Sequence, residues 1–258
     1  MIDLFTPNRN PSKSAMRLLI VCQLAVAFLF WLFSPFVYLP RPGEVFSALV
    51  DLWRAGLGAE LIVSLTLNLE ALLIATGLSL LLAYASRLPF MRPIVVLLIG
   101  KLRFLSMAGL TFMFKLIASN GQELKVYVLV FAISVFFVPG MVDVILSIQQ
   151  EQYDLARTLR MNEWGVLYEV IILGQADQAF VVMRANAAMG WMMLTLVEGM
   201  ARSGGGIGTV LLDQDRHFHL AAVFAIQLVI LGCGLAQDYS IGLLRHWFCL
   251  YADLGVAK

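Results

Sequence analysis

Six long stretches of the chain are almost free of polar residues, and short polar segments separate them. A bilayer core about 30 Å thick needs about 20 apolar residues per helix. Residues 18–39 meet that length and end at Pro40 and Pro42. The run is too long for a signal-peptide core, and no small-x-small cleavage site follows it, so it predicts a retained transmembrane helix. Val45, Leu49, Leu52 and Trp53 then fall at helical spacing, which predicts a short helix lying in the interface. The second span is 61–85, closed by Arg87, Pro89, Arg92 and Pro93. The third is placed at 104–118, with Lys101 and Arg103 at the inner interface and 94–100 leading in. The remaining spans are 126–148, 179–201 and 220–244.

Composition narrows the class. Of 258 residues, 60% are hydrophobic and only 14% charged, with a mean hydropathy of +0.85. Soluble domains run at about 45–50% apolar and about 25% charged, so the expectation is an all-α polytopic membrane protein in a lipid bilayer. Disorder, collagen and coiled coil are excluded by the same figures. A net charge of +1 leaves no basic footprint for nucleic acid. Cys22, Cys233 and Cys249 make no disulfide framework and read as small apolar residues. Six spans put both termini on one side. With that side inside, it collects 12 of the 18 Lys and Arg residues, so the positive-inside rule makes both termini cytoplasmic.

The largest polar island is 149–169. Leu155 and Leu159 lie four apart and share a helix face. Asn162 is placed to cap a second short helix, with Glu163 in its first turn. Two short helices at a turn predict a compact cytoplasmic knob.

Here the sequence resembles a known family. Asp154-Leu155-Ala156-Arg157, with Trp164 and then Val170-Ile171-Ile172-Leu173, is similar to the EAA loop of binding-protein-dependent ABC importer permeases. The usual pattern there is Glu-Ala-Ala-x-x-x-Gly, then an apolar stretch ending in Leu-Pro. Arg157, Leu159 and Trp164 are similar to residues of the sulfonate, taurine and nitrate subfamily. Arg160 stands in place of the Gly, and Gly174 in place of the Pro. Three more landmarks follow in order. Leu39-Pro40-Arg41-Pro42 with Val45 and Leu49 resembles the segment after the first span. Arg184, Gly190-Trp191 and Leu196-Val197-Glu198 resemble the fifth span. Gly206-Ile207-Gly208 with Leu211-Leu212 resembles the outer loop. One departure stands out: Lys101-Leu102-Arg103-Phe104 replaces a Leu-Arg-Pro-x-Pro-Pro segment.

The resemblance implies a type I ABC importer permease fold with six transmembrane helices. It implies a single permease domain over 1–258, with a coupling loop at 149–173 and an outer Gly-rich loop at 202–217. The ATPase-coupling residues would be Asp154, Ala156, Arg157, Leu159, Arg160, Asn162, Glu163 and Trp164. The partners would be two copies of an ABC ATPase, a second permease (identical or paralogous) and a periplasmic or lipid-anchored solute-binding protein. The location would be the bacterial inner membrane, and the solute small and in many members anionic, sulfonate-like or nitrate-like. The chain has no phosphate loop of its own, since Gly100-Lys101 is followed by Leu102 with no Gly-rich run before it. No cofactor is therefore expected in this chain, and ATP and Mg belong to the ATPase.

Charges inside spans cost about 2.5–3.5 kcal/mol each at a helix centre on insertion scales. Arg184 and Glu198 are 14 positions apart on one helix and cannot pair there; snorkelling is the simplest expectation for Arg184. Glu198, beside the Gly-rich loop, is expected to have a structural or gating role. Glu70 and Asp143 are expected to face protein rather than lipid. Trp191, Thr195 and Glu198 follow i, i+4, i+7, so they form one stripe. With Met192, Ser203 and Gly206 they are the candidate translocation path. Packing against helices of the same chain would satisfy the stripe equally well. Arg202–Gly206 reads first as a hinge and second as a backbone nest for an anion. His217 and His219 do not complete a metal site, and no catalytic group is expected. The alternative class is a stand-alone secondary transporter, which usually shows internal repeats absent here. An intramembrane enzyme needs a nucleophile with a base, or paired metal ligands, within the spans.

Overall fold

The computed structural model describes residues 13–33, 36, 38–201 and 204–249. Among the described residues there is no strand. In chain order the α-helices are α1 (Lys13–Leu32), α2 (Pro42–Arg54), α3 (Leu57–Ala85), α4 (Gly100–Leu102), α5 (Met107–Lys115), α6 (Gly121–Leu146), α7 (Gln150–Thr158), α8 (Glu163–Val166), α9 (Ala176–Met200), α10 (Ile207–Arg216) and α11 (Leu220–Phe248). Two π-helical segments, Ile94–Ile99 and Leu167–Leu173, join this series. Five of the helices (α1, α3, α6, α9 and α11) are long and apolar enough to cross a membrane. The protein is thus an all-α, multi-pass membrane protein.

Helix ends follow their sequence signals. Pro42 starts α2, where its missing N–H costs nothing. The Arg41 N–H donates to Glu44 Oε2 at 3.0 Å. Asn120 caps α6, its Oδ1 accepting from the Glu123 N–H at 2.8 Å. The Trp31 Nε1–H donates to the Pro40 carbonyl at 3.0 Å and ties the end of α1 to the turn before α2. Among the described residues, none of the α1 span is buried by the rest of the chain.

The bundle is organised around α6. Of its most apolar window 61% is buried, against 28–33% for α3, α9 and α11, so α6 is the axis and the others surround it. Phe137, Ile133, Leu129 and Met141 of α6 are fully enclosed. Against it α3 presents Ala71, Ala75, Ser79 and Ala83, four apart and all at 0% exposure. Small residues at that spacing let two backbones approach, which is how packing is gained where lipid is as apolar as the core. Gly190 of α9 serves the same end, since a Cβ there would stand 2.8 Å from Asn68 Oδ1 and 3.4 Å from Ile133 Cδ1.

The third span is not the straight helix expected at 104–118. The segment forms two short arms, Ile94–Leu102 and Met107–Lys115, bent by 105°. Nine residues of α5 rise only about 13.5 Å, less than half of a bilayer core. The chain nonetheless traverses the layer here. At one end, Val96 lines a cavity with Val142 and Ile145, near the C-terminus of α6. At the other, Phe114 packs edge-on against Phe131 at 5.9 Å and tilts against Tyr127 at 6.3 Å, near the α6 N-terminus. The ends of α3 and α6 agree. Glu60 of α3 and Lys125 of α6 both bind the Gly-rich loop, whereas Arg87 after α3 lies over Tyr153 after α6. The two helices run parallel, so the chain between them must return across the layer. Lys101 and Arg103 fall beside the bend, where an uninterrupted apolar helix would have had to bury them.

Candidate functional site

Two polar regions stand at opposite ends of the bundle. The first is the knob. Its α7 buries Tyr153 and Ala156 against the bundle and turns Leu155 and Leu159 outward, 63% and 65% exposed. Trp164 of α8 is 68% exposed as well. The result is an apolar patch on a segment that is otherwise polar. Arg157 joins the two helices: its Nε–H donates to Glu163 Oε1 at 3.2 Å, and Asp154 lies 3.8 Å away. The hydrogen bond to Glu163, and then its charge, raise the guanidinium above its ordinary value.

The turn between the helices is the most specific feature. Arg160 has φ +58°, in the left-handed region. Its N–H donates to the Arg157 carbonyl at 2.9 Å, and the Met161 N–H to the Ala156 carbonyl at 3.2 Å. That pair of bonds is the Schellman C-cap, whose left-handed residue is usually Gly. The chain thus keeps a glycine backbone at the very position where Arg160 stands for the Gly of the EAA pattern. Asn162 caps α8 as expected, its Oδ1 accepting from the Gly165 N–H at 2.7 Å. Gly174 also has a local reason. Its N–H donates to the Glu169 carbonyl at 2.9 Å and closes the π-helical segment. A Pro, which the family pattern has there, lacks that donor.

The second region surrounds the Gly-rich loop. Glu198, at 0% exposure, accepts from the Ser64 Oγ–H at 2.7 Å and the Gly208 N–H at 2.8 Å. The Ile207 N–H donates to Ser64 Oγ at 2.7 Å and the Gly206 N–H to Glu60 Oε2 at 2.5 Å. Lys125, 2% exposed, donates to the Gly205 carbonyl at 2.8 Å, within electrostatic reach of both carboxylates. The amides of Gly206, Ile207 and Gly208 at the start of α10 are therefore taken by the chain's own Glu60, Ser64 and Glu198. These amides are thus not open to an anion, which removes this part of the loop from the expected nest. Gly206 has φ +117°, and a Cβ there would fall within the Glu198 carboxylate.

The expected path stripe is distributed unevenly. Trp191 is buried, with its Nε1–H donating to Gln237 Oε1 at 2.5 Å, and Gln237 also accepts from Asn68 Nδ2 at 2.8 Å. Thr195 is half-buried and returns its hydroxyl to the Met192 carbonyl at 3.1 Å. Trp191, Glu198 and Gly206 thus face this chain's own α3, α10 and α11. Of the other path residues, Met192 is 61% exposed and Ser203 lies outside the described residues, as does Arg202. Arg184 does not snorkel: its guanidinium binds both Asp238 oxygens on α11, at 2.8 and 2.5 Å. Arg245 of α11 reaches Asp177 of α9 at 3.5 Å. Glu70 and Asp143, expected against protein, are both exposed.

Asn68, Gln237 and Asp238 were missed by reading the sequence. Their signal was available, because each is a polar residue inside an apolar run and so needs a partner on another helix.

No family model matches the chain, and no curated protein matches it.

Proposed function

We propose that this chain is the membrane-spanning subunit of an ATP-driven importer of the binding-protein-dependent ABC type. The knob carries the reading. A membrane protein gains nothing from exposing Leu155, Leu159 and Trp164 on a polar segment beyond its spans unless another protein covers them. The glycine-type turn at Arg160 and the cap at Asn162 support the EAA resemblance in shape where the sequence pattern is degenerate. On this reading α7 and α8 seat in a cytoplasmic ATPase, present in two copies, which brings ATP and Mg. A second permease copy or paralogue completes the path, and a periplasmic or lipid-anchored protein delivers a small solute of the sulfonate or nitrate kind. The path then runs along the open face of α9, where Met192, Leu196 and Met200 are four apart and exposed, rather than along Trp191 and Glu198.

The test is co-purification. Asp154→Lys combined with Leu159→Glu should release the ATPase and stop ATP-dependent uptake while the chain stays in the membrane. Retained assembly and uptake would remove the coupling role. A cysteine at Leu196 should react with a water-soluble thiol reagent in the assembled transporter, and one at Leu194, fully buried here, should not.

A further inference from the structure

At the end of the bundle that carries the knob, the turn after α3 encloses a cavity of about 280 Å³ against the end of α6. Arg87 and Arg92 form its cationic side, and Val96, Val142, Ile145 and Leu146 its apolar side. We propose that this cavity binds the phosphate of an anionic phospholipid, with an acyl chain lying along Val96 and Leu146.

Four observations carry it. First, the depth is right. α3 and α6 both end here, so the cavity lies where spans give way to the headgroup layer. Second, the charge is free. Both arginines are exposed, and no carboxylate among the described residues lies within ion-pair distance of either. Arg184 and Arg245, the arginines between α9 and α11, each have a carboxylate partner. Third, Arg87 is held in place. Its guanidinium carbon sits 5.4 Å from the Tyr153 ring centroid, within cation–π range, and among the described residues the guanidinium N–H groups make no hydrogen bond. Fourth, the walls are mixed. Leu146 and Val96 are 54% and 40% exposed and continue the cavity into the lipid-facing surface. The volume falls just below the range of about 300–1,000 Å³ typical of sites that enclose a whole small molecule. It suits a headgroup whose tails remain outside. Pro89 and Pro93 bracket the turn that brings Arg92 round to the same cavity as Arg87. Basic pockets between spans are a recurring means of holding anionic headgroups. This inference rests on membrane embedding and not on the transport reading.

The experiment uses the full chain in a neutral detergent, titrated with phosphatidylglycerol, with phosphatidylcholine of the same acyl chains, and with inorganic phosphate. Thermal unfolding is the readout. Phosphatidylglycerol should raise the midpoint at concentrations where the other two do not. A juxtamembrane cation contributes about a five-fold factor in affinity, so Arg87→Gln with Arg92→Gln should weaken the response about thirty-fold. Arg87→Lys with Arg92→Lys should restore most of it. If the glutamine variant fails to fold, the three titrations of the unmodified chain together with the lysine variant still decide. Equal stabilisation by phosphatidylcholine would overturn the proposal, as would a glutamine variant within two-fold of the unmodified chain. Equal stabilisation by inorganic phosphate would make the ligand a free anion and overturn the lipid assignment.

Discussion

Glu198 offers the sharpest test of how the Gly-rich end is held. Its carboxylate accepts from Ser64 at 2.7 Å and Gly208 at 2.8 Å, with Lys125 buried nearby. A hydrogen bond to a charged group is worth about 1.5–3 kcal/mol net. Removing one member of a buried charged set costs about 3–5 kcal/mol, because the others are left unpaired. Glu198→Ala strips the Gly208 N–H of its acceptor and Lys125 of one of two counter-charges. The expected loss is about 3–5 kcal/mol, and the bond energies above are part of that figure rather than additions to it. Glu198→Gln keeps the volume and one carbonyl, which can still serve Gly208. Only the charge and the fit to the Ser64 hydroxyl are lost, for about 1–3 kcal/mol. Ser64 cannot simply turn away, since its oxygen also receives the Ile207 N–H. Unfolding in mixed micelles with rising denaturing detergent measures both variants, and Lys125→Met closes a double-mutant cycle. Contacting members of one network couple by about 0.5–3 kcal/mol. A glutamine variant as stable as the parent, with no coupling to Lys125, would show that the carboxylate does not hold the loop.

Arg160→Gly should stabilise the knob by roughly 0.5–1 kcal/mol, because it relieves a left-handed side-chain residue costing about 1–2 kcal/mol while adding glycine's own entropy. Protection of the Met161 amide from hydrogen exchange reports it, and no gain would count against the C-cap geometry. Gly190→Ala should cost about 1–3 kcal/mol, since its Cβ would press on Asn68 Oδ1; an unchanged thermal midpoint would mean that α9 does not pack so closely on α3. Asp238→Asn should lower the midpoint by several degrees, and adding Arg184→Gln should recover part of that loss, because the cation would no longer lack its partner. Simple additivity of the two variants would exclude the pair.

The spans were legible because each is a run of the length a bilayer requires, and five of the six expected spans are long helices, the first of them set earlier, at Lys13–Leu32 rather than 18–39. What failed was the third. Its apolar content is sufficient, but periodicity and length do not report a bend, and Lys101 with Arg103 read equally as an interfacial end or as a break. The stripe of Ala71, Ala75, Ser79 and Ala83 was readable at a spacing of four and shows which face of α3 meets α6. In the knob, Asn162 announced its cap, yet nothing in the identity of Arg160 announces a left-handed backbone. That conformation is imposed by the two bonds that close α7. The pinned loop was harder still. Glu198 was recognisable as a carboxylate near glycines, but Ser64 and Glu60 are more than 130 residues away in sequence, and only the packing of α3 on α9 and α10 brings them together.

Most of the charged and amide side chains inside the spans have a partner on another element. Asn68 and Gln237 bind each other, Glu198 binds Ser64 and Gly208, and Arg184 binds Asp238. Every one of these expensive intramembrane groups is answered from another element of the same chain. Glu70 is not. It lies at the middle of α3, whose 29 residues span about 43 Å, and it is exposed, with exposed Thr66 one turn before it. Against acyl chains a central carboxylate costs about 2.5–3.5 kcal/mol, and the Thr66 hydroxyl, already bonded to the Ile62 and Val63 carbonyls, does not turn to meet it. Lipid is therefore the least favourable neighbour for this face. On the proposed reading the face of α3 that bears Glu70 meets a second permease or the water between two of them. Cross-linking separates this from a monomer in lipid. A cysteine at Leu69 or Leu73, both exposed beside Glu70, should join two permease chains or react with a water-soluble reagent. A chain that does neither, and tolerates Glu70→Leu with higher stability, has lipid on that face after all.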